Sequence, residues 1–71
     1  MTPAQLRMAR SALKIGVRDL ADMAGVTTAT ITRFENERGG LNSATEQKLV
    51  AALTAAGIEF LNGTGVSLKT P

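Results

Sequence analysis

The sequence predicts a mainly α fold: a compact four-helix domain over residues 1–57, then a C-terminal β-hairpin over residues 58–71. Three features point that way. Apolar residues recur at helical spacing in separate stretches of the chain. Capping chemistry opens these stretches, and glycine interrupts or ends several of them. Beyond Gly57 the pattern changes to alternation on both sides of Asn62-Gly63-Thr64-Gly65.

The first helix is expected at about residues 3–14. Thr2 can cap it, Pro3 suits its first position, and Gln5 completes a T-x-x-Q capping box. Leu6, Ala9 and Leu13 form its apolar stripe, and Gly16 interrupts. Val17, Leu20, Ala21 and Ala24 then recur at i, i+3, i+4 and i+7, which predicts a second, short helix. Gly25 stands where a left-handed C-terminal residue is wanted. Thr27 is a good N-cap for a third helix over 28–36, with Val26 and Ile31 at the staple positions. Two helices therefore meet across the tight turn "AGVT". A fourth helix is expected near Ser43, read as the cap of an S-x-x-E box with Glu46, and Leu49, Ala52, Leu53 and Ala56 line its buried side.

"IEFLNGTGVSLK" then reads as two strands around a four-residue loop. Ile58 and Phe60 face one way, with Val66 and Leu68 matching them. No repeat, low-complexity tract or long linker separates this hairpin from the helices.

Composition narrows the function. At 71 residues the chain makes one small domain. It has neither Cys nor His, so a disulfide framework, a thiolate metal site and the usual general-base chemistry are not expected, nor is any cofactor or small-molecule ligand. Ser11, Ser43 and Ser67 have no His beside which to act, and "NGTG" is followed by neither a helix nor a Lys, so no enzyme is expected. No apolar run approaches membrane-spanning length, and "MTPAQLRMAR" lacks a signal-peptide layout, which points to the cytoplasm. A net charge of +2 and a pI near 9.7 give only a mild bias toward polyanions.

The third helix carries the functional signal. At about 100° per residue, Ile31 and Phe34 fall on one side, while Thr28, Ala29, Thr32, Arg33 and Asn36 form an arc on the other. Threonines are poor helix formers. On an exposed face, however, short side chains let the backbone approach another surface closely. The DNA major groove admits a helix, an Arg bonds guanine O6 and N7 there, and a Thr or Ala methyl packs on thymine. Leu20, Ala21, Gly25, Val26, Ile31 and Phe34, at these spacings, make residues 3–57 resemble the Cro/cI-type helix-turn-helix family, also called the XRE family.

That resemblance implies roles for matching residues. Thr28, Ala29, Thr32 and Arg33 stand where relatives read base edges, with Arg33 the foremost candidate for a guanine contact. Thr27 looks like the cap lying near phosphate, Arg38 like a phosphate contact, and Asn36 fits either role. Arg10 and Glu35 resemble a pair that locks two helices and turns the guanidinium toward the DNA backbone. Where relatives open the second helix with Ser or Thr followed by Gln, this chain has Gly16 and Val17, so that contact is either lost or moved to backbone N–H groups or Arg18. Arg7, Lys14, Arg18 and Lys48 otherwise read as ordinary solubilising charges, any of which could touch phosphate. Relatives often carry an apolar residue at the position of Glu46, and the hairpin replaces the fifth helix of phage repressors; endings like Ala55–Phe60 occur among small bacterial regulators.

The expectation is therefore a sequence-specific regulator of transcription, acting as a repressor because so short a chain has no room for a ligand domain. Such regulators bind palindromic operators as dimers. The hairpin is the expected dimerisation element: two hairpins would pair across a two-fold axis into a four-stranded sheet whose Ile58, Phe60, Val66 and Leu68 cover the helical core or each other, or else each hairpin caps its own core. The alternative is a protein-interaction module, antitoxin-like or antiactivator-like, with little or no DNA binding.

Overall fold

A computed structural model describes residues 1–69, so the last two residues assigned to the hairpin, Thr70 and Pro71, lie outside it. The chain runs α1 (Pro3–Leu13), α2 (Val17–Ala24), α3 (Thr28–Glu35), α4 (Ser43–Ala55), β1 (Ile58–Phe60) and β2 (Val66–Leu68). This is the mainly helical fold with a C-terminal antiparallel hairpin that the patterning predicts. Leu6, Leu20, Ile31, Leu49 and Leu53 are fully buried, so every helix contributes to one core. Ala9, Ala21, Phe34 and Ile58 complete it.

The capping box of α1 is present. Thr2 Oγ1 accepts from the Gln5 amide at 3.1 Å, and Gln5 Oε1 accepts from the Thr2 amide at 2.9 Å. The helix ends on Lys14 in the left-handed region, φ 58°, a position the sequence did not mark because the residue is not glycine. At the α2–α3 turn Gly25 takes φ 71°, and its N–H and that of Val26 both donate to Ala21 O, at 2.9 and 3.1 Å. Ala21 is small where α2 meets α3.

Helix α4 corrects the expected cap. Its N-cap is Asn42, whose Oδ1 accepts from the Thr45 amide at 2.8 Å, and Ser43 is already inside the helix. Glu46 makes no box with Ser43: its carboxylate instead lies 2.9 Å from the α-amino group of Met1. Two adjacent cap-forming residues offered the chain a choice of start, and the long-range partner of Glu46 removed the reason to prefer Ser43.

The hairpin register pairs Ile58 with Leu68, Glu59 with Ser67 and Phe60 with Val66, placing the apolar residues on one face. Its loop is tighter than expected. Leu61 N–H donates to Gly65 O at 3.0 Å, which draws Gly65 into the pairing and leaves Asn62, Gly63 and Thr64 at the tip, with Gly63 at φ 90°. At the other end Gly57 has φ 105°, and a Cβ there would stand 2.7 Å from the Lys69 carbonyl oxygen. Glycine is needed there twice over, for its backbone and for the close approach.

Ile58 is 2% exposed, and Phe60 and Val66 pack beside it on the helices; Leu68 sits at the exposed margin. Within one chain the hairpin therefore closes its own core against α1 and α4. Gln5 is its clasp: Nε2 donates to Leu61 O and to Gly65 O, both at 3.1 Å. The same buried amide caps a helix at one end of its bonds and holds the hairpin at the other.

Candidate nucleic-acid interface

Helix α3 starts at Thr27, whose Oγ1 accepts from the Thr30 amide at 3.2 Å and lies 2.8 Å from the Thr30 hydroxyl. Val26 is half-buried and Ile31 fully buried, as a staple requires. The last helical residue is Glu35, one earlier than expected, with Asn36 as the C-cap. Ile31, Phe34 and Glu35 face inward, whereas Thr28, Ala29, Thr32, Arg33 and Asn36 are all exposed. The arc drawn from the sequence is thus one continuous surface, short in side chain except for Arg33 and Asn36 and free of carboxylates.

What fixes this surface lies behind it. Arg10 Nε donates to Glu35 Oε2 at 2.7 Å and Nη2 to Oε1 at 2.8 Å, a two-pronged bond between α1 and α3. Arg10 Nη1 also donates to Ile15 O at 3.3 Å. Three of the five guanidinium N–H groups are therefore engaged inside the fold. The Glu35 side chain is only 7% exposed, against 22% for Arg10. The hydrogen bond from Arg10 to this carboxylate raises the guanidinium pKa above its ordinary value, against the opposing effect of burial. An arginine raised in this way contributes its stabilisation in full below the ordinary arginine range and loses it only as the pH climbs through the folded-state value.

Arg7 departs from its expected role as a solubilising charge: its Nη1 donates to the Glu35 carbonyl oxygen at the end of α3. The chain leaves α3 through Glu37 in the left-handed region, φ 59°. Glu37 N–H donates to Phe34 O at 3.0 Å and Arg38 N–H to Arg33 O at 2.8 Å, the bonding of a Schellman motif with glutamate in the glycine position. Arg18 and Arg38 are exposed. Among the described residues the ion pairs are Met1–Glu46, Arg10–Glu35 and Glu59–Lys69, so Arg18, Arg33 and Arg38 face solvent with no carboxylate partner.

Sequence reasoning missed Arg7, because a bond to a carbonyl 28 residues away leaves no local pattern. It also missed Gly39, in the loop beyond Arg38, on which the stem of Arg33 lies. No family model matches the chain, and no curated protein matches it.

Proposed function

We propose that this chain is a sequence-specific, double-stranded DNA-binding regulator of transcription of the helix-turn-helix kind, acting as a repressor from the cytoplasm and laying α3 in the major groove. The observation that carries this reading is the exposed arc Thr28, Ala29, Thr32 and Arg33, uncharged apart from one unpaired guanidinium, on a helix pinned from behind by Arg10 and Glu35. An α-helix with its side chains is about 10–12 Å across, which fits the roughly 12 Å width of the groove, and the short side chains on this face of α3 keep it at the narrow end. Arg33 reads guanine, and the methyl groups of Thr28, Ala29 and Thr32 pack on neighbouring bases. Thr27, Arg18, Asn36 and Arg38 contact phosphate, and Arg10 offers a phosphate the N–H groups that Glu35 and Ile15 leave free. No helix among the described residues is long and apolar enough to cross a membrane.

A second copy bound to the adjacent half-site of a palindromic operator supplies the remaining affinity. The test is selection of bound sites from a random duplex library. Arg33→Ala is expected to lose preference at one position per half-site, at a cost of about 1–3 kcal/mol. Arg38→Ala should instead weaken all sequences alike and flatten the salt dependence. Equal selectivity of the Arg33 variant and the parent protein overturns the readout.

A second reading, a protein-interaction module, is favoured by the outer face of α4. Gln47, Val50, Ala51, Thr54 and Ala55 line a shallow concave surface there in which Glu46 alone is charged. Tight, salt-insensitive binding to a protein together with no retention on DNA at low salt decides for it.

A further inference from the structure

Gly39 lies between α3 and α4, and its backbone does not explain why it is glycine. Gly25, Gly57 and Gly63 take positive φ, where a side chain is strained, but Gly39 does not. The space a side chain would fill is instead taken by Arg33. A Cβ on Gly39 would lie 2.9 Å from Arg33 Nε, 3.1 Å from Cδ and 3.4 Å from Cγ, whereas one on the adjoining Gly40 would meet nothing within 4 Å. The Arg38 amide, bonded to Arg33 O at 2.8 Å, ties this loop to the turn of helix that carries the arginine.

We propose that Gly39 is a specificity-determining position, which cradles the Arg33 stem and so sets the attitude in which the guanidinium meets a base pair. This inference rests on the DNA-reading role given to α3 above. Two-pronged recognition of guanine tolerates little misalignment, and a stem that rests against the Gly39 backbone has less rotamer freedom left to lose on binding than one in open solvent. The crowded atoms belong to a flexible side chain rather than to backbone, so Gly39→Ala moves Arg33 and leaves the fold in place.

Selection from a random duplex library by the full chain tests this with the parent protein, Gly39→Ala, Arg33→Ala, the double variant and Gly40→Ala, each verified as folded by its thermal transition. Gly39→Ala is expected to lose about fivefold or more in preference at the same base-pair position as Arg33→Ala, and to add nothing in the Arg33→Ala background. Gly40→Ala should select as the parent does. Parent-like selectivity in Gly39→Ala beside a loss in Arg33→Ala overturns the inference and leaves the DNA reading standing. An equal loss in Gly40→Ala, or a further loss in the double variant, overturns it as well, because the loop would then act by its flexibility or its own contacts. Unchanged selectivity in Arg33→Ala removes both the inference and the readout beneath it.

Discussion

Helix α1 fastens two regions of the molecule by two different kinds of bond. Toward α3 it uses Arg10, a charged group meeting the nearly buried carboxylate of Glu35. Toward the hairpin it uses Gln5, a neutral amide reaching two backbone carbonyls. A buried ion pair adds little net stability when intact, because desolvation offsets attraction, but losing one partner strands the other. It therefore acts as an orientation device. The amide contributes bond by bond and fails by degrees. The charged device sits behind the exposed arc, where the angle of a helix decides what its side chains can reach.

The sharpest way to break this contrast is Arg10→Met. It leaves the Glu35 carboxylate without a partner and should cost about 3 kcal/mol or more, much of what a domain of this size has to lose. Urea unfolding followed by circular dichroism measures it; a loss below about 1 kcal/mol would make the ion pair ornamental. Gln5→Ala should cost less, about 1–2 kcal/mol, and locally. Hydrogen exchange should quicken at the Leu61 and Lys69 amides while α3 keeps its protection, and an equal loss across α3 would erase the distinction between the two attachments. The smallest effect tests the exits rather than the attachments. Gly57 already relieves the left-handed corner before the hairpin, but the corner after α3 is held by Glu37. Glu37→Gly should stabilise by about 1 kcal/mol and raise Tm by several degrees. A lowered Tm would mean that the glutamate side chain contributes more than its backbone costs.

The features legible in the sequence were those decided within one turn or one strand. Thr2 with Gln5, Gly25, and the matching faces of the hairpin each depend on neighbours a few residues apart. The arc on α3 was legible for the same reason, since helix geometry alone separates Ile31 and Phe34 from Thr32 and Arg33. The resemblance to a known pattern supplied Arg10 with Glu35, which composition and spacing alone do not single out. What stayed hidden depends on distant partners. Ser43 looked like a cap because nothing local tells that Glu46 will face Met1. The capping box accounts for Gln5 locally, yet its amide also reaches residues 56 and 60 positions on. Lys14 and Glu37 turn corners that local chemistry assigns to glycine, because the helices they end are fixed by packing rather than by propensity.

The largest fully buried side chains of the core are Leu6 from α1, Leu20 from α2, Ile31 from α3, and Leu49 and Leu53 from α4, so no helix owns a private interior. Melting any single helix therefore exposes the others, and the helical part of the molecule has no cheap half-open form. A partner laid against α3 would meet a finished shape and face no folding penalty there.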